Sequence, residues 1–222
     1  MATKTGGDKI TRNIVIGMVA FVVAIGAIFS YTSSKSTNGV AIPSIVSKAE
    51  GYGVVFNGDL KGVPTVDLWE DFQCPICGEF ETLNGAYMQS LISQKKAKVV
   101  FHLLSFLGPE SIQAANAAAC AADEDKFLAF HAYLYAHQSK TENSGLWSAA
   151  GLLEAGKGAG LTSQAFTSCV KDSKYGDWVN NVAADGGAKN VNQTPTVFMN
   201  GTEINRNTDY FNAAAFKKVI EG

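Results

Sequence analysis

The fold is decided by the stretch Asp71-Phe72-Gln73-Cys74-Pro75-Ile76-Cys77, which lies between a strand-like apolar run, residues 63–69, and a helical pattern. Apolar residues after this stretch recur at the spacing of one buried helix face. They are Ile76, Phe80, Leu83, Tyr87 and Leu91. Proline is favoured in the first turn of a helix, where its missing N–H is not needed. The sequence therefore predicts that Cys74 lies at the N-terminus of a helix.

This placement favours redox chemistry at the cysteine pair. Unpaired backbone N–H groups and the positive end of the helix dipole meet at a helix N-terminus, and both stabilise a thiolate relative to a thiol. Two cysteines separated by two residues, such as Cys74 and Cys77, can close a small disulfide ring or bind a metal ion. Only the redox use requires a strand-to-helix junction, so we expect a dithiol–disulfide pair in which Cys74 is the reactive member.

The composition excludes some classes of function. The 222 residues include 18 Lys or Arg and 20 Asp or Glu, which gives a formal net charge of -2. The basic residues do not cluster, so the sequence predicts no nucleic-acid partner. After an N-terminal segment is set aside, about 170 residues remain, which is the size of a single domain.

The first fifty residues predict export and a membrane anchor. Residues 14–31 form an apolar stretch at the short end of what crosses a bilayer, and Lys4, Lys9 and Arg12 precede it. The positive-inside rule then orients the chain, and a Ser- and Gly-rich segment follows the anchor. The predicted parts are a cytoplasmic tail (1–13), a transmembrane anchor (14–31), a flexible linker (32–50) and an extracytoplasmic domain (51–222). The alternative is a cleaved signal peptide, which would release a secreted form.

Strand and helix patterns alternate in the first half of this domain. β-prone runs at 53–56, 63–69 and 98–104 predict three strands, and a helix from Cys74 to about Gln94 separates the last two. This order predicts a βαβ unit.

The second half begins with an alanine-rich helical block from Pro109 to about Asn190. Candidate helices in this block are 113–122, 126–137, 147–155 and 164–170. Asn200-Gly201 between the runs 196–199 and 202–204 predicts a hairpin. Thr208 or Asp209 is predicted to cap a final helix.

Three motifs resemble the DsbA-like thiol-disulfide oxidoreductases of the thioredoxin superfamily. They are Glu70-Asp71-Phe72-Gln73-Cys74-Pro75-Ile76-Cys77, Lys126-Phe127-Leu128-Ala129-Phe130-His131 and Gln193-Thr194-Pro195-Thr196-Val197-Phe198. The resemblance covers the chain from about residue 51 to its end. It implies an α/β protein with a thioredoxin fold and an inserted all-helical subdomain at about 109–190. Together with the transmembrane helix predicted before the domain, the chain is expected to be a membrane-anchored form of this family.

The resemblance also implies roles for single residues. Cys74 and Cys77 would be the catalytic pair, and Pro75 and Ile76 between them would support it. The Thr194–Pro195 bond would be cis and lie beside the pair, where the backbone of Thr194 pairs with an extended client chain. Exported relatives include members with a second, structural disulfide in the helical subdomain, which here would join two further cysteines, Cys120 and Cys169.

Partners follow from the same resemblance. The expected substrates are reduced exported client proteins. The expected reoxidant is a quinone-linked membrane oxidase of the DsbB or vitamin-K-epoxide-reductase type. We expect neither a cofactor nor a metal ion.

Two departures from the family pattern concern charge near the cysteines. Many relatives place a buried acid six residues before the first cysteine, where this chain has Leu68. Glu70 and Asp71 lie closer to the cysteines in sequence and could act as proton-relay groups. We expect them instead to be solvated charges at the rim of the site. Ile76 offers neither charge nor hydrogen-bond donor, so we expect the helix alone to stabilise the Cys74 thiolate.

Two other classes of function remain open from the residues. Cys74 and Cys77 could hold copper, as thioredoxin-like copper-delivery proteins do, although no further ligands are evident in the sequence. The groove beside Pro195 could also serve a non-catalytic chaperone that holds clients.

Overall fold

The computed structural model describes residues 39–222. The predicted cytoplasmic tail, the transmembrane anchor and the first part of the linker lie outside these residues. None of the helices within 39–222 is long and apolar enough to cross a membrane.

Six strands form one sheet in the order β1-β2-β4-β3-β5-β6. The central strands β3 and β4 run parallel, and every other neighbouring pair is antiparallel. The strands are β1 (Val46–Ser47), β2 (Gly53–Phe56), β3 (Thr65–Glu70), β4 (Lys98–Leu103), β5 (Thr196–Met199) and β6 (Thr202–Glu203).

Seven α-helices surround this sheet within the described residues. They are α1 (Pro75–Ser93), α2 (Pro109–Ala122), α3 (Phe127–Ala136), α4 (Ala149–Gly158), α5 (Gln164–Lys171), α6 (Gly176–Ala188) and α7 (Ala213–Glu221). The predicted α/β fold is thus present, with α2 to α6 inserted between β4 and β5.

The βαβ unit positions the cysteine pair. β3 pairs with β4 in parallel from Thr65↔Lys98 to Glu70↔Leu103, so α1 makes the crossover between them. Both strands are central and largely buried, as expected for parallel strands covered by helices. α1 begins at the carboxyl end of β3, which places the helix N-terminus at the edge of the sheet where α/β proteins commonly bind ligands.

The folded part begins earlier than the predicted boundary at residue 51. β1 pairs antiparallel with β2 through Val46↔Val54, and a 3₁₀ helix (Lys48–Glu50) connects the two strands. These elements lie inside the segment 32–50 that was predicted to be a flexible linker. The apolar residues Ile45 and Val46 pack against the core, which the surrounding polar composition had obscured.

The caps and helices of the second half also differ from the sequence prediction. The final helix, α7, is capped by Asn212, whose Oδ1 accepts hydrogen bonds from the backbone N–H groups of Ala214 and Ala215. Thr208 and Asp209 lie in the preceding turn, so the predicted cap was wrong. The helix α6 was not among the predicted helices, because its Gly and Asn residues weaken the helical signal.

The inserted helices form a packed block around α2. Seven alanines of α2 are buried, and their small side chains allow α3, α5 and α6 to pack closely against it. The Sγ atoms of Cys120 on α2 and Cys169 on α5 are bonded, with their Cα atoms 5.9 Å apart. This disulfide lies within the helical block and contains neither Cys74 nor Cys77.

Replacement of Cys120 and Cys169 by alanine should lower the stability of the oxidised protein. The bond closes a loop across a sequence separation of 49 residues. Loop-closure entropy for a loop of this length corresponds to about 4 kcal/mol, an upper guide. Thermal unfolding should therefore occur roughly 8 to 16 °C lower, while the rate at which Cys74 reacts with iodoacetamide stays unchanged. A double variant with wild-type stability would contradict a structural role.

Candidate active site

Cys74 caps the N-terminus of α1. Its backbone is extended, with φ -71° and ψ 114°, and Pro75 is the first helical residue. Cys77 lies in the first turn and is fully buried, whereas Cys74 retains 7% exposure. The structure therefore places the two thiols as the sequence predicts, with Cys74 on the accessible side.

The Thr194–Pro195 peptide bond lies beside Cys74 and is cis. The Cys74 Sγ is 3.6 Å from the Thr194 carbonyl oxygen. Ile76, between Pro75 and Cys77 at the start of α1, is 44% exposed. These residues are brought together from the two ends of the domain, and they present a reactive sulfur, a backbone segment and an apolar side chain at one surface.

The two thiols have opposite electrostatic environments. A hydrogen bond from Cys77 is the largest of the effects that lower the pKa of Cys74 to about 6. Burial opposes this shift, and the Thr194 side chain and the N–H groups of Cys77 and Ile76 add to it. Burial, followed by the hydrogen bond to Cys74 and the charge of Glu70, raises the pKa of Cys77. Near neutral pH the reduced site thus holds a thiolate at Cys74 and a thiol at Cys77.

The expectation that the helix alone stabilises the Cys74 thiolate was wrong. The helix contributes through two backbone N–H groups, but the Cys77 thiol contributes more, and a hydrogen bond from the Thr194 side chain also lowers the pKa of Cys74. The Thr194 contribution depends on the tertiary fold, because 120 residues separate the two partners.

The expectation that Glu70 and Asp71 are solvated rim charges was also wrong. Both residues are fully buried. The Asp71 carboxylate accepts hydrogen bonds from the Ser111 hydroxyl (2.6 Å) and from the backbone N–H groups of Gln73 (2.9 Å) and Leu107 (3.3 Å). Asp71 therefore joins the loop before Cys74 to the start of the helical insertion.

Two glutamines that sequence reasoning missed hold the same loop. Gln138 Nε2 donates to the carbonyl oxygens of Phe72 (2.8 Å) and Cys74 (2.9 Å). A Cβ at Gly78 would collide with the Gln138 side chain, so glycine at that position permits this approach. Gln73 accepts from the backbone N–H of Asn143 at 2.6 Å. Neither glutamine carries a chemical signature in sequence, and only their contacts reveal the role.

Arg206 supports the proline loop from the other side. Its guanidinium donates to the carbonyl oxygens of Thr194 (3.5 Å) and Pro195. It also lies over the ring of Tyr210, 5.2 Å from the ring centroid, and the Tyr210 hydroxyl accepts from the backbone N–H of Val197. These contacts fix the segment that faces Cys74.

A buried cluster of three ionisable side chains lies behind Cys77. The Glu70 Oε2 is 3.1 Å from the Nε2 of His131, and the Glu81 Oε2 is 3.9 Å from the Nδ1 of the same imidazole. Burial is the main cause that raises the pKa of Glu70 well above its ordinary value and the pKa of Glu81 to about 8. Burial lowers the pKa of His131. Glu81 lies on α1, and the sequence gave no signal for this cluster.

The same three residues bear on the metal-binding alternative. Among residues 39–222, they are the one set of His, Cys, Asp or Glu side chains whose potential ligand atoms all lie within 4.8 Å of one another. The set contains neither Cys74 nor Cys77. A copper site built on the cysteine pair therefore has no third ligand from this set.

Comparison with known proteins gives the same fold. The MdbA protein of Actinomyces oris, a thiol-disulfide oxidoreductase, superposes with a TM-score of 0.71 and 24% identity over 83% of this chain and 93% of that chain. The reduced disulfide bond oxidoreductase DsbG of Mycobacterium tuberculosis gives a TM-score of 0.62 and 29% identity over 78% and 87%. Oxidised DsbA of the same organism gives 0.60 and 28% over 76% and 91%.

A match to a protein-family model shows which family the chain belongs to. No curated protein matches this chain. Residues 51–221, more than half of the chain, match the model of the family described as Thioredoxin. The matched residues include the βαβ unit with Cys74 and Cys77, the helical insertion, and the residues around Pro195. The chain therefore belongs to the thioredoxin family.

Proposed function

We propose that this protein is a thiol-disulfide oxidoreductase that oxidises the thiols of exported client proteins through Cys74 and Cys77. The main observation that supports this proposal is the difference between the two thiols. Cys74 is partly accessible and its pKa is lowered to about 6, whereas Cys77 is buried and its pKa is raised. The likeness to DsbG and DsbA of Mycobacterium tuberculosis, at 29% and 28% identity, supports the same activity.

The asymmetry of the pair supports the following order of bond exchange. In the oxidised enzyme a client thiolate attacks the Cys74 Sγ, the S–S bond breaks, and Cys77 leaves with the electron pair. A second client thiolate then attacks the client sulfur and displaces Cys74, which leaves readily because its thiolate is stabilised. The client gains a disulfide and the enzyme becomes a dithiol.

Glu70 is the proton donor and acceptor for Cys77 in this proposal. The leaving Cys77 thiolate is buried and must be neutralised, and the charge of Glu70 acts on the pKa of Cys77. Burial raises the pKa of Glu70 well above its ordinary value, so this carboxyl holds its proton to a higher pH than an exposed glutamate does. The proton passes to Cys77 on reduction of the pair and returns to Glu70 on reoxidation.

Client binding uses the surface in front of Cys74. The exposed Ile76 side chain and the backbone of Thr194 flank the sulfur, and Pro195 with Arg206 holds that backbone in place. An extended client segment would pair with Thr194, and Pro75 would keep the active-site turn rigid.

The cellular setting belongs to the same proposal. Residues 14–31 would anchor the domain on the outer face of the membrane, and a cleaved, secreted form is the alternative. A quinone-linked membrane oxidase of the DsbB or vitamin-K-epoxide-reductase type would reoxidise Cys74 and Cys77. The anchor would hold the domain near this oxidase, while the disulfide of Cys120 and Cys169 would stabilise the domain.

Serine variants separate the roles of the two cysteines. Cys74→Ser should abolish oxidation of a reduced, unfolded client, because no accessible sulfur remains. In Cys77→Ser, the Cys74 thiolate should still attack disulfides and should accumulate mixed disulfides, since the resolving thiol is absent. Mass spectrometry after acid quenching measures both species.

The same assay distinguishes the alternatives. Stoichiometric copper bound by the wild type, with no client oxidation, would favour the metal carrier. Client binding that Cys74→Ser leaves intact, again without oxidation by the wild type, would favour a chaperone. Trapping of clients through Cys77 would reverse the assigned roles.

The pH dependence of alkylation should reflect the separated pKa values. The rate of Cys74 alkylation by iodoacetamide should rise with a midpoint near pH 6, while Cys77 stays unreactive at neutral pH. An unfolded thiol titrates near 8.5, so between about pH 6 and 8.5 the unfolded chain binds the extra proton. The stability that Cys74 contributes to the reduced form should therefore increase with pH in this window and be lost as pH falls through about 6. A single midpoint near 8.5 would contradict the account.

Ile76→His should make the pair more oxidising. A histidine beside Cys74 would add a partner for the thiolate and so stabilise the reduced form. The native potential is expected at roughly -150 to -220 mV, and the variant should be less negative by about 30 mV or more, which corresponds to roughly 1.4 kcal/mol. Equilibration with glutathione buffers measures both proteins, with Ile76→Leu as the control. An unchanged potential and an unchanged Cys74 pKa would refute the expectation.

A further inference from the structure

We propose that the sheet face around Phe198 binds a lysine or arginine side chain of a client that is joined to Cys74. This inference rests on the proposed function, and it adds a client contact outside the surface formed by Cys74, Ile76 and Thr194. It also names the kind of client that the enzyme prefers, which is one with a basic residue a few positions from the reacting cysteine.

Phe198 lies between two carboxylates in a row that crosses three strands. It is directly opposite Asp67 of β3 on one side and Glu203 of β6 on the other. Directly opposite residues of antiparallel strands lie on the same face of a sheet, with their Cβ atoms about 4.5–5.5 Å apart. The Phe198 ring is therefore flanked by a carboxylate on each side.

The helix α6 covers the neighbouring row of the same face. Trp69 lies two residues after Asp67 on β3, so the two side chains share a face. Trp69 packs against α6 so closely that a Cβ at Gly186 would lie 3.0 Å from its ring. The cation of Lys189, directly after the helix, is 5.4 Å from the same ring centroid.

Two cavities adjoin the row of Phe198. The first has a volume of about 400 Å³ and is lined by Glu50, Asp67, Lys189, Phe198 and Gly201 among others. The second has a volume of about 320 Å³ and is lined by Lys189, Gln193, Thr196, Phe198 and Glu203 among others. Because they share Phe198 and Lys189, the two cavities form one groove, the Phe198 groove.

Two of the charged groups that line the Phe198 groove are already balanced by ion pairs. The carboxylate of Glu50 pairs with Lys98. The ammonium group of Lys189 pairs with Asp185 at 2.7 Å. Neither group is therefore a free partner for a ligand of opposite charge.

The other two carboxylates leave the groove with net negative charge. Within residues 39–222, neither Asp67 nor Glu203 forms an ion pair with a lysine or arginine, and the one such contact of Asp67 is with His102. The Asp67 side chain is 22% exposed and Glu203 is exposed, so solvent and ligands reach both.

A basic side chain complements this arrangement. An ammonium or guanidinium group is attracted to the face of an aromatic ring, and carboxylates beside the ring add to the attraction. The aliphatic stem of lysine or arginine can pack along apolar surface while the charged end stays near water. An acidic side chain would be repelled by Asp67 and Glu203.

The position of the groove identifies a client segment as the source of this side chain. Gln193 and Thr196, which line the second cavity, flank the Thr194–Pro195 bond. An extended client that pairs with Thr194 therefore continues past Gln193 into the groove. Phe198 follows Thr194 by four residues, a distance of about 13 Å along an extended chain. A client residue about four positions from the reacting cysteine reaches it.

An exchange equilibrium isolates the noncovalent contacts of the client. Full-length Cys77→Ser protein is joined at Cys74 to glutathione and mixed with an unstructured peptide that has one cysteine. The peptide thiolate attacks the Cys74 sulfur, the bond to glutathione breaks, and glutathione leaves as a thiolate, so one disulfide replaces another without a further oxidant. Mass spectrometry after acid quenching measures the ratio of the two mixed disulfides, which gives the exchange constant.

The peptides differ at a single position. Lysine, arginine, glutamine, leucine or glutamate is placed two to six residues before or after the cysteine, in a background of glycine and serine. Lysine or arginine about four residues away, on one side only, should raise the exchange constant roughly threefold to tenfold over glutamine, and glutamate should lower it. Salt at about 0.5 M should remove most of this preference, because exposed charges are then screened.

Variants of the enzyme test whether the preference arises in the groove. Asp67→Asn, Glu203→Gln and Phe198→Leu should each reduce the ratio of the exchange constants for lysine and glutamine peptides at least twofold. Glu79→Gln removes an exposed acid near the start of α1 that does not line the groove, so it is the matched control and should leave the ratio unchanged.

The outcomes separate this inference from the proposed function. Equal exchange constants for all peptides, a preference for lysine at every position on both sides, or a preference for leucine over lysine would overturn the client contact at Phe198 and leave the proposed function in place. A ratio that stays unchanged in the three groove variants, or variants that weaken exchange of every peptide alike, would overturn it as well. Mixed disulfides formed by Cys74→Ser, or a wild type that fails to oxidise a client with two thiols, would instead refute the proposed function.

Discussion

Burial of Cys77 directly behind the α1 N-terminus is the constraint on which the rest of the site depends. A thiolate is stable at Cys74, where backbone N–H groups, the Cys77 thiol and Thr194 point at the sulfur. It is unstable at Cys77, where apolar packing and the Glu70 carboxyl surround the sulfur. One turn of helix therefore separates two thiols whose pKa values are moved in opposite directions. This separation gives the pair its direction, because the sulfur that carries charge best is the better leaving group.

The helical insertion is part of the active site as well as an addition to the fold. Ser111 from α2, His131 from α3 and Gln138 from the segment after α3 each contact the loop or strand that precedes Cys74. Gln138 donates to two carbonyl oxygens of the loop, those of Phe72 and Cys74. Without these contacts, polar atoms of the loop would be buried without hydrogen-bond partners. This would cost free energy, which matters in a fold of marginal stability. The insertion thus positions Cys74 and also encloses the acids behind Cys77.

The two buried acids before Cys74, Glu70 and Asp71, have different hydrogen-bond partners although they are adjacent in sequence. Asp71 receives three hydrogen bonds and has a structural role in the loop. Glu70, one residue earlier, points to His131 and Glu81 and retains an oxygen without a partner. Alternation along the end of β3 sends the two carboxyls to different surroundings. Neighbouring residues in one motif therefore have different surroundings: Asp71 holds the backbone of the loop, and Glu70 is the group that the proposed mechanism uses for proton exchange.

The sequence by itself determined the features that depend on short-range patterns. The strand-to-helix junction, the position of Cys74 at the start of α1, the hairpin at Asn200-Gly201 and the helical block all follow from periodicity and from residues with special backbone preferences. The ends of these elements were less well determined, as β1 and the cap at Asn212 show, because both depend on which neighbours are close in space. Only the tertiary structure decided the surroundings of the acids. Glu70 and Asp71 belong to an active-site motif, which suggests exposure, but partners about 40 and 60 residues away, Ser111 and His131, enclose them. The same physical reason applies to Thr194 and Arg206: an electrostatic effect depends on distance in space, and chain separation in the sequence carries no information about that distance.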